Sequence, residues 1–317
     1  MAYDPDTQAV LDLIKAAGRP AMETLSAPDA REAFNAGRKL LSPTPEDVAE
    51  IRDTSVPGPL GPIPVRLYRP AGSVETDVLP ALVYFHGGGW VVGDLNSHDV
   101  PCRRYANAAR CRVISVDYRM APEHVFPAAV NDCAAVTQWV HDSAASLGVD
   151  AAKIAVAGDS AGGNLAAVMA LMARDGTLPK LAFQLLIYPA TDMTMSSISA
   201  TTIGPGVPLT SATMQWFIDH YVKGDRTDWR ASPGRAASVA GTAPALVLTA
   251  AYDPLRDEGI AYANRLEREG VRVIHLHYSD QIHGFVGMGR MIRAADQAMD
   301  MMARVLKHAL HPPGPVA

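Results

Sequence analysis

From residue 81 onward the sequence alternates short, almost unbroken apolar runs with segments of helical period, and no other feature narrows the fold as far. The runs are ALVYF (81–85), RVISVDY (112–118), KIAVAG (153–158), LAFQLLIYP (181–189), PALVLTAAYD (244–253) and RVIHLHY (272–278). Helical spacing follows near 97–109, 127–146, 163–174, 256–269 and 291–310. A strand that is apolar on both sides has to be covered on both faces, and a helix between two strands returns the chain in the same direction. The alternation therefore predicts an α/β protein with a mostly parallel sheet between helical layers.

Two stretches depart from this rhythm. Upstream, Val10, Leu13, Ile14 and Ala17 fall on one face of a helix, and Ala30, Phe34, Gly37 and Leu41 on one face of a second, which Pro43 and Pro45 end. AEIRDTSV and IPVRLYR, separated by the turn-rich PGPLGP, then read as a β-hairpin. Residues 191–240 carry a helix near 211–222 but no central strand, and read as an insertion above the sheet. The tail HPPGPVA is expected to fray.

Composition excludes several functions. A chain of 317 residues that is 48% hydrophobic and 19% charged can bury a substantial core. Its net charge of −5, with no lysine and arginine block, supplies no footprint for nucleic acid or an anionic membrane. Three cysteines, Cys102, Cys111 and Cys133, without CxxC spacing suggest neither a disulfide framework nor a zinc site. The opening MAYDPDTQAV has no basic-then-apolar leader, and the longest apolar run, LAAVMALMA (165–173), is far below the roughly 18 residues of a membrane span. The expectation is a cytoplasmic protein with neither nucleic-acid nor membrane partners.

One motif carries chemistry. In GDSAG (158–162) a strand-like run leads into a serine between glycines, followed by a helix, which fits the G-x-S-x-G turn that lifts a hydroxyl above a sheet. Side chains at Gly158 and Gly162 would collide with neighbours of the tight turn. The plainer reading, Ser160 as a helix N-cap, fits the same segment. A nucleophilic serine needs a base, an orienting carboxylate and donors for an oxyanion. HGGGW (86–90) ends a strand with glycines whose amides can turn toward a reacting oxygen, with His86 orienting the loop. The same glycines, with Gly93 and Asp117, mimic a dinucleotide site, but WVVGDLN is apolar and turn-rich where a phosphate-binding helix should start.

The acid and then the histidine should follow the serine in sequence. Asp253 ends one strand and His283 lies in the loop after the next, both at carboxyl ends of parallel strands. Asp192, Asp257 and Glu258 compete for the acid's role; only Asp253 terminates its strand directly, and Asp257 and Glu258 read as charges at a helix N-terminus. His275 and His277 share one strand face, but with no third ligand in view no metal is expected. Trp90, Met193, Met195, Met214, Trp216 and Phe217 could line a pocket or simply pack.

HGGGW (86–90), DYRMAPE (117–123), GDSAGG (158–163), DPLRDEG (253–259) and HGF (283–285), in this order, resemble the hormone-sensitive-lipase-like branch of the α/β-hydrolases, the bacterial family IV esterases. The resemblance implies an α/β-hydrolase fold with an eight-stranded, mostly parallel sheet, flanking helices and a helical cap. On that pattern residues 1–317 form a single domain whose cap comes from about 1–48 and 191–230. It implies hydrolysis of short- to medium-chain carboxylic esters, a small-molecule substrate, without a cofactor. Matched residue by residue, Ser160 is the nucleophile, Asp253 the acid and His283 the base; Gly87, Gly88 and Ala161 supply oxyanion N–H groups, and Trp90, Met214 and Phe217 are the substrate-binding candidates. Asp117, Arg119 and Glu123 correspond to positions that brace the loop near the site. The family usually carries Pro and Gly before the histidine, where this chain has YSDQIHGF with Asp280. Its habit of forming a homodimer through the last strand edge carries over as an expectation. A non-catalytic ligand-binding protein on the same scaffold is the alternative from another class, although such proteins lose the histidine; an amidase or peptidase is the alternative within the enzymes.

Overall fold

The computed structural model describes residues 2–312, so residues 313–317, most of the tail expected to fray, lie outside the described residues. The strands are β1 (Glu50–Gly58), β2 (Gly61–Arg69), β3 (Leu79–Phe85), β4 (Arg112–Val116), β5 (Val149–Asp159), β6 (Phe183–Ile187), β7 (Ala245–Tyr252) and β8 (Val273–Ile282). They form one eight-stranded sheet in the order β1-β2-β4-β3-β5-β6-β7-β8. The hairpin is present, with Gly58 opposite Gly61. β2 also runs antiparallel to β4, and all other neighbours are parallel.

The helices are α1 (Pro5–Ala17), α2 (Ala27–Leu41), α3 (Asp99–Ala109), α4 (Ala128–Asp142), α5 (Ala144–Leu147), α6 (Ala161–Arg174), α7 (Ile198–Thr202), α8 (Ser211–Tyr221), α9 (Arg256–Arg268) and α10 (Arg293–Leu310). Why the apolar strands need two layers is plain along β3, which is buried throughout. Its Ala81, Val83 and Phe85 join a core with α4, α6 and α9, whereas Leu82 and Tyr84 join a second core with α3 and α10. Each large apolar side chain buried in this way contributes about 1.5–3 kcal/mol. Among the described residues no helix is long and apolar enough to cross a membrane.

Some expectations need correction. The helix expected over 127–146 is interrupted at Ser143, which caps α4 and leads into the short α5; apolar spacing does not register a one-residue break. The expected face of α1 holds only in part. Thr7, Val10 and Leu11 are buried, whereas Leu13 and Ile14 are each 39% exposed, because only the first half of the helix docks on the body. On α2, Ala30 and Leu41 are buried and Phe34 packs against the core, as the spacing predicts. Within 191–240 there is no strand among the described residues, and the helix expected near 211–222 is α8.

Candidate active site

Ser160 stands between β5 and α6 with φ 57° and ψ −116°, a left-handed backbone that residues with side chains seldom adopt. The crowding around the turn holds it there. A Cβ added to Gly158 would run into Gly162 and the Phe85 carbonyl, and one at Gly162 into the Phe85 and His86 carbonyls. The Ser160 amide donates to the Ile187 carbonyl at 2.8 Å. Ser160 occupies the N-cap position of α6, its carbonyl accepting from the Asn164 amide at 3.0 Å, but its hydroxyl makes no capping bond.

That hydroxyl faces an imidazole instead. His283, directly after β8, places Nε2 3.0 Å from Ser160 Oγ and Nδ1 2.7 Å from Asp253 Oδ2. Asp253, directly after β7, is fully buried, and its Oδ1 accepts from the Leu255 amide at 2.8 Å. A carboxylate only accepts, so Nδ1 carries the proton and Nε2 is left with a lone pair toward the serine hydroxyl. The three side chains, from the ends of β5, β7 and β8, thus form a hydrogen-bonded chain capable of drawing a proton from an attacking hydroxyl.

The glycine turn lies beside the serine but not in the arrangement expected. The Gly87 amide donates to Asp159 Oδ1 at 3.0 Å, so it is already committed and unsuited to a reacting oxygen. The Gly88 and Gly89 amides donate to no acceptor among the described residues, and Ala161, the first residue of α6, has no preceding helical turn to accept its N–H. Gly88 (φ 119°) leaves no room for a Cβ beside the Val92 carbonyl, nor Gly89 (φ 57°) beside the Phe217 ring. Asp159 is the residue that sequence reasoning missed. Its carboxylate also accepts from Tyr84 Oη at 2.7 Å and lies 3.3 Å from His98 Nε2. Burial alone would push this carboxyl up, but His98 and these donors hold it well below the usual range. The one available signal was an acidic residue next to the serine.

His86, expected to orient the loop, is buried, stacks on Tyr118 at 4.3 Å and sits 2.8 Å from the Gly87 carbonyl. Burial, aided by His98, lowers its pKa to about 4, so it stays neutral near pH 7. The DYRMAPE residues brace the same region. Arg119 grips the buried Asp132 through Nε at 2.7 Å, and Glu123 pairs with Arg31 of α2, whose Nε also donates to the Val91 carbonyl at 2.8 Å. Asp117, its carboxyl raised to about 6 chiefly by burial, lies 4.0 Å from His86 Nε2.

The pocket candidates fare unevenly. Trp90 is wholly buried and stacked on Tyr221 at 4.6 Å, so it presents no surface to a ligand and is a packing residue. Met214 and Phe217 are nearly buried on α8, and of the two it is Phe217 that reaches the glycine turn. Asp192, one competitor for the acid's role, is held by Arg235, and Asp257 by Arg256 and the Ser199 amide. Glu258 lies in the first turn of α9, as expected, but not in solvent. It is buried and accepts from the Thr191 and Asp192 amides at 2.6 and 3.1 Å, and burial raises its pKa to about 8. His275 and His277 each lie 2.9 Å from the Thr249 hydroxyl. A surface hollow of about 570 Å³ lined by Asp53, Arg66, Asn96 and Asp99 includes none of the candidate residues.

With this geometry in place, comparison with known proteins decides the lineage. A model of the alpha/beta hydrolase fold matches residues 82–287, more than half of the chain. The chain belongs to the hormone-sensitive-lipase-like α/β-hydrolases. Relatives of this α/β-hydrolase include carboxylic ester hydrolase LipN of Mycobacterium tuberculosis, 44% identical over 78% of this chain and 67% of the relative. Ethyl acetate hydrolase of Pseudomonas putida is 39% identical over 98% and 100% of the two chains. Among solved structures, an ester-hydrolase from the metagenome of Lake Arreo, complexed with a derivative of bipyridine phosphonate, superposes with a TM-score of 0.93 at 44% identity, covering 97% of this hydrolase and 98% of that chain. The hyperthermophilic esterase of Pyrobaculum calidifontis gives 0.90 at 42% identity over 97% and 98%.

Proposed function

We propose that this α/β-hydrolase is a serine carboxylesterase acting on short- to medium-chain carboxylic esters. The observation that carries the reading is the imidazole of His283, hydrogen-bonded to Asp253 on one side and to Ser160 on the other. In the proposed cycle Ser160 Oγ bonds to the ester carbonyl carbon while its proton passes to His283 Nε2. The oxygen that gains charge is held by backbone N–H groups of Gly88, Gly89 and Ala161, the turn's remaining donors once Gly87 is spoken for by Asp159. Collapse expels the alcohol, which takes the proton from His283 and leaves an acyl-serine. Water then repeats the sequence, giving the carboxylic acid and free Ser160. Asp253 keeps the imidazole in the tautomer that the first step requires.

The residue 1–317 domain and its helical cap, from about 1–48 and 191–230, belong to the same proposal. It is supported by the bond from Thr213 of α8 to Glu23 at 2.7 Å, which ties the two segments together. The limit on acyl length is supported by Phe217, whose ring closes against Gly89. An intact His283 disfavours the reading as a ligand-binding protein, and the esterase names of the relatives favour esters over amides.

Ser160→Ala tests the reading. The variant is expected to keep its circular dichroism spectrum and melting temperature while turnover of a p-nitrophenyl ester falls by about a million-fold, toward the residue left when a triad nucleophile is removed. Wild-type protein should be labelled at Ser160 by an organophosphonate. An active alanine variant would falsify the proposal, and faster cleavage of the matching anilide than of the ester would move it to the amidases.

A further inference from the structure

The segment YSDQIHGF departs from the family's usual residues before the histidine, and the structure shows what this chain does there instead. Gln281, two residues before His283, is wholly buried and accepts at Oε1 from the Thr7 hydroxyl of α1 at 2.6 Å. Thr7 is also wholly buried. Beside this bond the Asp4 amide donates to the Asp280 carbonyl at 3.2 Å, and the Gln281 side-chain amide reaches Asp280 Oδ1 at 3.3 Å. The first turn of α1 is itself fixed, because Asp4 Oδ1 accepts from the Asp6 and Thr7 amides. Tyr3 packs its ring 4.2 Å from that of Tyr252, the residue before Asp253. Seven residues after His283, the Arg290 amide donates to the Leu41 carbonyl at the end of α2 at 3.1 Å.

We propose that Thr7 and Gln281 are positioning residues, through which α1 straps down the segment that carries His283. This inference rests on the esterase reading. Neither residue touches the reacting atoms. Only Ile282 separates Gln281 from His283, and a displacement of about 1 Å at a catalytic group can cost on the order of a hundred-fold in rate. Removing the Thr7 hydroxyl leaves the Gln281 oxygen without its buried donor, and the segment relaxes to find another. Asp6 also joins α1 to the body, accepting from the Arg293 amide and side chain at 3.1 and 2.8 Å, but the Arg293 side chain is largely in solvent, and an ion pair of that kind contributes little.

The test compares Thr7→Val, Thr7→Ser and Gln281→Met with wild type, well below the melting temperature. In Thr7→Val, kcat for a p-nitrophenyl ester is expected to fall about ten-fold with KM changed less than two-fold, a smaller loss than that full ångström. Thr7→Ser restores the donor and should restore kcat; Gln281→Met removes the acceptor and should repeat the loss if the valine variant folds poorly. Proton NMR supplies a readout independent of turnover. The downfield resonance of the His283 Nδ1–H, sharpened by Asp253, should broaden in Thr7→Val and Gln281→Met and persist in Thr7→Ser. A kcat within two-fold of wild type in both disabling variants, or an unchanged resonance, overturns the proposal. Wild type that shows the resonance but neither cleaves esters nor reacts with a phosphonate would remove the esterase reading, and the resonance in the variants would still judge the strap.

Discussion

Asp253 and Glu258 are both buried carboxyl groups near the carboxyl end of β7, yet their partners give them opposite duties. Asp253 faces a ring N–H of His283, so Asp253→Asn can turn its amide N–H toward Nδ1 and favour the tautomer with Nε2 protonated. We expect kcat to drop by about a thousand- to ten-thousand-fold with the fold intact, measured by steady-state ester hydrolysis beside a melting curve. Among the described residues Glu258 accepts from two backbone amides, and its pKa of about 8 stands above the usual value of an exposed glutamate. The folded protein therefore holds this proton more tightly than the unfolded chain does. The associated stability is complete below the unfolded pKa and is lost as pH rises through about 8. Glu258→Gln, which keeps the acceptor oxygen, should flatten that decline; denaturant titrations of both proteins between pH 5 and 9 would reveal it, and parallel curves would refute it. At this scale sequence pointed to Ser160, Asp253 and His283, which the structure joins by hydrogen bonds, because residue type and strand-end position coincide. It could not tell which glycine amides were still available, since that depends on where Asp159 points.

At the scale of elements, legibility followed burial. β3, β6 and β7 are covered on both faces and show as uninterrupted apolar runs, whereas β8 alternates between exposed and half-buried residues until its last two and gives a weaker trace. α1 was misread on one side because a helix docked by half its length keeps apolar residues in water. The link between the DYRMAPE stretch and α4 was visible only as a bracing role. In the structure it is a buried carboxylate, Asp132, gripped by the Arg119 side chain and by its amide at 3.0 Å. Asp132→Ala strands a largely buried guanidinium and should destabilise the protein by about 3–5 kcal/mol, read as a lower denaturant midpoint. A loss of stability below about 1 kcal/mol would show that water replaces the carboxylate.

At the scale of the whole molecule, the two cores on either side of the sheet seal the three thiols. Cys102 and Cys111 lie in or beside α3 and Cys133 in α4, all buried and free. Burial raises all three, Cys111 to about 12, so none offers a thiolate near neutral pH. The native protein should therefore leave an aromatic disulfide reagent unreacted at pH 8, and release three equivalents once unfolded. Rapid native labelling would mean that one helical layer opens readily. The contact between Thr7 and Gln281 joins residues 274 positions apart. A polypeptide emerging from the ribosome displays its first helix long before the eighth strand has been translated. Until that strand arrives Thr7 has no side-chain carbonyl to meet, so the bond that ties α1 to the segment before His283 is among the last contacts this chain can complete during its synthesis.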